Sequence, residues 1–304
     1  MYPYLARRIG QGLISVVGVT VLIFVLVRLT GSPLDAMLPI DADAETRARL
    51  AARLGLDRPL YEQFAIFVGD LLHGDLGESI RYRVPVSRLL GETFPMTASL
   101  VFPALVLSTL VGIPLGIVAA TTSRRSVRAF LSSFGLVGLA MPTFWLAILL
   151  IMVFSIWLRW LPSARAGGVE HYIMPVLTMS AFQIAALMRL TRASVLNILD
   201  SEYIKLARIK GLSEGRVIWK HALLNSLTAA ASYLGLFFAA LLTGSIVVET
   251  VFAWPGSGRL IYTSISSRDY PVIQGVVLVS SLFIIFVNLA VDLLQGYLDP
   301  RVRA

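Results

Sequence analysis

The chain contains no cysteine. Disulfides, thiolate metal sites and a cysteine nucleophile are therefore excluded. Histidine is nearly as rare: His73, His171 and His221 lie far apart, so no local histidine-based metal motif exists. Charge is scarce as well. Only 14% of the 304 residues are Asp, Glu, Lys or Arg, against about 25% in an average soluble domain. That is too little to clothe a globular surface in water, which removes soluble, disordered and collagen-like chains together. No Gly-Lys dipeptide occurs, so a nucleotide-binding P-loop is absent.

What is abundant is apolar: 57% of residues are hydrophobic, and the mean hydropathy is +0.78. These values indicate a membrane protein. Six stretches free of Asp, Glu, Lys and Arg are long enough to cross a bilayer: Ile9–Val27, Thr93–Ser123, Ala129–Leu158, His171–Met188, His221–Val248 and Tyr270–Val291. Backbone polar groups in lipid must be paired internally, so each is expected to be a helix. The second, third and fifth are long and must tilt or include interfacial residues. The first follows Arg7 and Arg8 as a signal peptide would. It is too long for such a core and ends at Arg28 without a small-residue cleavage site, so it reads as an uncleaved anchor.

A net charge of +8 and an isoelectric point near 10.0 would suggest nucleic-acid binding in a soluble chain. The placement of the charges argues otherwise. Six spans put both termini on one side. That side collects Arg7 and Arg8, Arg124, Arg125 and Arg128, the segment from Arg189 to Lys220, and Arg301 and Arg303. The short opposite loops hold only Arg159, Arg165, Arg259 and Arg268. The basic side is therefore expected to be cytoplasmic. The spans divide the chain into a cytoplasmic N-terminus with the first helix (1–29), an extracytoplasmic segment (30–92), a five-helix core (93–298) interrupted by the loop 189–227, and a cytoplasmic tail (299–304).

The segment 30–92 mixes seven arginines with ten acids. Ala42–Leu54 has helix-forming composition, with Gly55 suited to a C-cap and Pro59 to the next start. Leu60–Leu72 places Leu60, Phe64, Phe67 and Leu71 near helical spacing. Gly74-Asp75-Leu76-Gly77-Glu78-Ser79 reads as turns. A cap over the outer membrane face is expected, with a docking surface for an outside partner as the sharper alternative.

All three lysines, Lys205, Lys210 and Lys220, fall in the cytoplasmic loop. Its centre is Glu202-Tyr203-Ile204-Lys205-Leu206-Ala207-Arg208-Ile209-Lys210-Gly211-Leu212-Ser213. The pattern predicts a basic amphipathic helix stopped at Gly211, with Ser213 as N-cap of a following turn. A short helix and sharp turn standing off the membrane make a knob that fits a groove on another protein. Composition alone serves equally for a basic helix lying on anionic lipid.

The loop resembles the coupling (EAA) segment of permease subunits of ATP-binding-cassette importers. Anchored on Gly211, the pattern's third position is Ala207 and its later leucine Leu223; Lys205, Leu206, His221 and Leu224 depart from it. The longer string Glu202-Tyr203, Ala207-Arg208, Lys210-Gly211-Leu212-Ser213, His221-Ala222-Leu223 and Asn225 is similar to the peptide/nickel importer branch. So are Leu54-Gly55-Leu56-Asp57-Arg58-Pro59-Leu60-Tyr61, Gly74-Asp75-Leu76-Gly77, Met141-Pro142-Thr143-Phe144-Trp145, Phe252-Ala253-Trp254-Pro255-Gly256, Arg268-Asp269-Tyr270-Pro271-Val272 and Asp299-Pro300-Arg301. The resemblance spans the chain, and the large segment after the first span is like the first of two permeases in such systems.

The resemblance implies an all-α, polytopic fold of six transmembrane helices in a MetI-like permease bundle within the inner membrane. It implies a non-catalytic subunit that binds no cofactor, metal or nucleic acid itself. It further implies a second homologous permease, two cytoplasmic ATPase subunits that bind ATP and Mg, and an extracytoplasmic substrate-binding protein. Ala207 and Gly211 would pack against the ATPase, with Lys205, Arg208 and Lys210 meeting its acidic rim. Peptides are the leading cargo, with nickel or a nickel chelate and glutathione as alternatives.

Several residues in the spans are candidates for the translocation path: Met141, Pro142, Glu249, Asn288 and Asp292. Asn288, Asp292 and Gln295 share one helix face, either as a polar strip at the inner mouth or with Asp292 at the interface pairing an arginine. Glu249 is expected near the outer face, lining the entrance or solvated. Pro114 and Pro142 can kink their helices. Gly112, Gly116 and Ala120 form a small-residue stripe, expected to serve packing within the chain. Gly256-Ser257-Gly258 suggests a serine protease, but no histidine stands in the last span as base. An ion-driven secondary transporter is disfavoured because the spans carry almost no charge and no clear repeat.

Overall fold

The computed structural model describes residues 2–30, 34, 37–38, 42–53, 55–218 and 223–298. Among them the secondary structure is helical without a strand, and one isolated antiparallel bridge joins Glu78 and Pro85. Helix α1 is Tyr2–Thr30. The next two, α2 (Ala44–Arg53) and α3 (Leu60–Leu72), form the segment after the first span, close to their expected limits. The second, fourth, fifth and sixth apolar runs lie in α4 (Val86–Thr121), α7 (Glu170–Leu199), α9 (Leu223–Val251) and α11 (Tyr270–Leu298).

The third run differs from expectation. It is not one helix but two, α5 (Arg125–Ala140) and α6 (Thr143–Leu150), the latter continuing as a π-helix through Ile151–Trp157. The two halves meet at 105°. The cause is local: a proline lacks the N–H for an intrahelical bond, and its ring drives the preceding residue out of the helical region. Met141 and Pro142 accordingly have ψ of 121° and 135°. By contrast α4 continues through Pro95, Pro103 and the expected kink site Pro114.

A further helix, α10 (Ser257–Ser266), stands where a short loop was expected. Four described helices, α1, α4, α7 and α11, are long and apolar enough to cross a membrane, and the bent α5–α6 pair makes a fifth if it counts as one span. In α9 the stretch Gly235–Val251 is a shorter apolar helix.

The most extensive packing in the molecule is α4 against α7. Glycines make it possible. A Cβ on Gly112 would stand 3.0 Å from the Leu187 Cβ, and one on Gly116 would stand 2.6 Å from the Met188 carbonyl oxygen. The small-residue stripe therefore serves packing within the chain, as its helical spacing suggested. Both contacts advance in the same direction along the two helices, so α4 and α7 run parallel. Parallel neighbours need a returning segment between them, which α5 and α6 provide. Gly135 and Gly138 of α5 press on Met188 and Ala185 of the same helix.

The core lies between α4, α6, α7 and α9, with Leu100, Ala147, Met174, Phe238, Leu241 and Trp254 buried together. Helix α1 is peripheral. It packs on α11 through Ile23, Val27 and Leu278 and leaves Ile14 and Leu29 exposed, as suits a lipid-facing flank. At its far end Phe24 meets Phe64 and Phe67 of α3. Arg28 lies over the Phe24 ring and donates to Gln63 Oε1 at 3.0 Å. Gln63 in turn donates to the carbonyls of Leu56 and Arg58, which fixes the turn after α2. That turn closes α2 by the expected glycine: Gly55 has φ +65°, with Gly55 N–H bonded to Ala52 and Leu56 N–H to Ala51.

The close helix approach yields a test. Gly116→Ala forces a shift against backbone, at about 1–3 kcal/mol; Gly18→Ala has no atom within 4 Å of the new methyl. The first should lower the melting temperature of the purified protein in detergent by several degrees, and the second should not. Equal melting temperatures would mean that α4 and α7 do not approach this closely.

Candidate functional site

The expected amphipathic helix of the lysine-containing loop is α8, Glu202–Ile209, preceded by Ser201. Its end is built as the sequence suggested. Gly211 has φ +79°, its N–H bonds the Arg208 carbonyl at 2.9 Å, and the Leu212 N–H bonds the Ala207 carbonyl at 3.2 Å. This is a Schellman closure, which only glycine adopts without steric cost. No atom lies within 4 Å of the place a Gly211 Cβ would occupy, so the turn faces open space. Ser213 takes the N-cap position of the next helical turn, Glu214–Arg216, without a side-chain cap bond.

Two of the cations on the knob pair within the chain. Lys205 donates to Glu202 Oε1 at 2.7 Å, and Arg208 reaches both oxygens of Glu214 at 2.8 and 3.3 Å. Two of the three cations therefore hold acids of their own chain: Glu202 lies one helical turn before Lys205, and the turn at Gly211 brings Glu214 back to Arg208. Such exposed pairs contribute about 0–1 kcal/mol and set geometry more than stability. Lys210 is exposed. Ile204 is buried and anchors α8, whereas Tyr203, Leu206 and Ile209 stand exposed at three-residue intervals, Ile209 at 81%. An apolar stripe in the open, rimmed by paired charges, is the profile of a docking surface. Ala207 is half-buried beside it. His221 lies outside the described residues.

At the opposite end of the bundle Glu249 is fully buried, neither solvated nor lining an entrance. Its Oε1 accepts from Thr97 Oγ1 at 2.7 Å and its Oε2 from the Arg259 N–H at 2.9 Å. Thr97 Oγ1 also accepts the Ser257 N–H at 2.8 Å. The first turn of α10 is thus capped by side chains from α4 and α9, and a carboxylate sits at the positive end of its dipole. The motif Gly256-Ser257-Gly258 has a steric role here. A Cβ on Gly256 or Gly258 would collide with the Glu249 carboxylate, and one on Gly258 also with the Ile246 backbone.

Two left-handed turns place the neighbouring anchors. Ala253 (φ +50°) ends α9 and sends Trp254 into the core, where its indole N–H bonds the Met96 carbonyl at 2.9 Å and its ring meets Tyr172 edge-on. Arg268 (φ +55°) ends α10 and delivers the buried Asp269. Asp269 accepts from Ser79 Oγ at 2.5 Å and from the Ile80 and Arg81 N–H groups at 3.1 and 3.2 Å. The segment after the first span is thereby tied to the start of α11. A non-glycine residue in this region costs about 1 kcal/mol or more; the buried Trp254 and Asp269 hold it there.

The remaining candidates separate. Met141 and Pro142 form the break between α5 and α6. Asn288 and Asp292 face a cavity between α1 and α11 that Arg8, Gln11 and Ser15 also line. Asp292 lies 3.2 Å from Arg8, the interfacial arginine pair that was one of the two sequence readings. Asn288 packs beside Gly235 of α9. The Gln295 side chain and the Asp299-Pro300-Arg301 motif lie outside the described residues. Thr97 was not singled out from sequence, and Asp269 entered only within the string Arg268-Asp269-Tyr270-Pro271-Val272. Their signals are faint: Asp269 is one acid within an aromatic–proline string, and Thr97 is one hydroxyl in an apolar run.

The profile of the family described as "Binding-protein-dependent transport system inner membrane component" matches residues 112–304. The chain is 40% identical, over all of its length and 99% of the relative's, to the "Glutathione transport system permease protein GsiC" of Escherichia coli O6:H1 (strain CFT073). It is 39% identical, with the same coverage, to the proteins so described from Escherichia coli strain K12 and Salmonella typhimurium strain LT2. Among solved structures, a chain of the inward-facing MetNI methionine ABC transporter aligns with a TM-score of 0.56 at 16% identity, covering 70% of this chain and 97% of that one. That likeness concerns the fold.

Asp269→Ala should free the turn it holds, since two backbone N–H groups lose their acceptor at about 1–3 kcal/mol each. Arg81 and Arg83 are exposed in that turn, so limited trypsin digestion should cut there faster than in the wild type. Asp269→Asn, which keeps one acceptor oxygen, should fall between. Unchanged cleavage would show that the turn holds without Asp269.

Proposed function

The chain belongs to the family of binding-protein-dependent transport system inner membrane components, and on that premise we propose that it forms half of the translocation path of an ATP-driven importer of short peptides, glutathione among them. The chain is a non-catalytic, multi-pass permease subunit of an ABC importer. The cargo reading is carried by the full-length likeness to permeases described as transporting glutathione. A second homologous permease completes the path, two ABC ATPases binding ATP and Mg drive it, and an extracytoplasmic binding protein delivers the cargo.

Orientation follows the basic bias: both termini and α8 are cytoplasmic, and the Glu249 and Asp269 anchors face outside. The apolar stripe of Tyr203, Leu206 and Ile209 then seats in a groove of the ATPase, with Ala207 and Gly211 allowing close approach. Lys210 meets acids at the groove's rim, while Lys205 and Arg208 keep the knob's shape through Glu202 and Glu214. ATP-driven closure of the ATPases pushes on α8, and the push biases the bundle between outward- and inward-open states. Met141 and Pro142, at the break between α5 and α6, lie on the path.

The test is reconstitution of the complete complex in proteoliposomes. Gly211→Asp leaves the left-handed turn open to a residue that tolerates it, yet adds a charge to the docking face. Uptake of glutathione should require ATP and should fall about ten-fold or more in the variant, with the subunit still assembled in the membrane. Normal transport by Gly211→Asp would show that the loop does not couple. Titrating the partner binding protein with glutathione, di- and tripeptides and nickel tests the cargo. Binding of nickel alone would overturn the peptide reading.

A further inference from the structure

We propose that the cavity between α4, α5 and α7 binds the phosphate head of an acidic phospholipid. The site takes its leaflet, the cytoplasmic one, from the orientation given above and rests on that reading. The cavity holds about 210 Å³, and its polar lining is Arg189 and Arg192 of α7 with Ser132 of α5. Its charge, its construction and its surroundings each point to this ligand.

The charge is uncompensated. Arginines elsewhere in the chain find acids: Arg8 pairs with Asp292, Arg88 with Glu92 and Arg208 with Glu214. No acid lines this cavity, and among the described residues neither Arg189 nor Arg192 forms an ion pair. Arg192 is half-buried, and its Nε–H is enclosed without an acceptor. That N–H is not turned to the cavity; it marks a guanidinium partly withdrawn from water with no counter-charge from the protein. Such a cation is costly until an anion completes it. Arg128 and Arg125 stand one and two turns before Ser132 on α5, and Arg128 donates to the Thr122 carbonyl. They raise the positive potential at this end of the bundle without lining the cavity.

The construction delivers the two heads together. Gly135 of α5 leaves room for the stem of Arg189: a Cβ there would stand 3.5 Å from Arg189 Cγ and 3.6 Å from Cδ. The apolar stem lies on α5 while the side chain stays exposed at its end. Arg192 follows at the i+3 position, on the same face of α7. Guanidinium forks match the oxygens of a phosphate, and the Ser132 hydroxyl adds a third donor.

The surroundings choose the source of that phosphate. The rest of the wall is apolar, with Ala119, Leu131 and Met188 forming a buried cluster. Leu136 lines the cavity and is also exposed, and the exposed apolar side of α5 continues through Val137, Phe134 and Phe130. A cationic recess beside an open apolar face fits an amphiphile, with its head in the recess and its chains along α5. A soluble phosphate would meet the arginines and leave that face uncovered. The volume takes a phosphodiester group and leaves the chains outside. Basic pockets between membrane helices on the cytoplasmic side recurrently seat anionic headgroups. Arg192 lies two turns before the end of α7 at Leu199, from which the chain leads into α8. A head held between α5 and α7 therefore ties the helix that precedes the docking knob to its neighbour.

The test uses the complete complex, purified and delipidated in detergent. It is titrated with phosphatidylglycerol and with phosphatidylcholine of identical chains, and bound lipid is counted by native mass spectrometry. The wild type should bind phosphatidylglycerol about thirty-fold more tightly, the effect of two arginines on one anionic head. Arg189→Gln and Arg192→Gln should each remove about five-fold of that preference, and the double variant should bind the two lipids alike. Arg7→Gln, at the exposed start of α1, should leave the preference intact. An unchanged preference in the double variant overturns the site. Displacement of phosphatidylglycerol by inorganic phosphate assigns the arginines to a soluble anion and overturns the lipid. Loss of a partner subunit from the double variant shows that the arginines hold protein, which overturns it too. The orientation is read separately. The chain has no cysteine, so Ser126→Cys reports its side of the membrane alone. Labelling by an impermeant maleimide from outside the cell overturns the orientation, and the cytoplasmic leaflet with it, whatever the binding shows.

Discussion

An apolar surrounding supplies no hydrogen bonds to a helix end, and the architecture of this chain depends on how each interruption meets that constraint. Where the chain stops being helical inside or beside the bundle, donors and acceptors must come from the protein itself. Glu249 and Thr97 supply them at the start of α10. Asp269 supplies them to the turn at Ile80 and Arg81. At Ala253 and Arg268 the backbone folds back on the preceding helix in a left-handed turn, and buried anchors compensate the strain. At the start of α6 Pro142 takes the N-cap position without a side-chain cap bond.

The same constraint explains the two faces of the molecule. At the end that holds Glu249 and Asp269, side chains from α4, α9 and the α10–α11 turn converge on buried hydrogen bonds, which makes that end a rigid frame. On the α8 side the helix closes with a glycine turn at Gly211, and Tyr203, Leu206 and Ile209 are exposed. Between them, α4 and α7 touch through Gly112 and Gly116. Helix α8 follows α7 after the two-residue break at Asp200 and Ser201, where Ser201 is extended.

Much of this was legible in residue order, and the parts that were share a physical basis. Apolar runs, the Gly55 and Gly211 stops and the helical spacing of α3 depend on neighbours within one or two turns, and local rules read them. The glycine stripe was legible for the same reason, since every fourth residue must share a face. The misread elements depend on distant partners. Glu249 looked like a residue at the rim because it ends an apolar run; it is buried because Thr97, 152 positions earlier, and the α10 backbone meet it. The Arg208–Glu214 pair likewise forms only once the turn at Gly211 brings Glu214 back, whereas Lys205 and Glu202 share one turn of α8.

Composition by itself determined the solvent and the helical class, because those follow from transfer free energies that add along the chain. Family resemblance in ordered motifs extended this to a permease role. Pro142 bends the third apolar run locally, whereas tertiary structure alone decided that Thr97 closes on Glu249. It also decided that α4 and α7 lie parallel, and that Glu249 and Asp269 are structural anchors while the buried Gln183 Oε1 has no hydrogen-bond partner among the described residues. Each of these is a contact between residues far apart in sequence, and whether a buried polar atom is satisfied is a property of the space around it, which residue order does not contain.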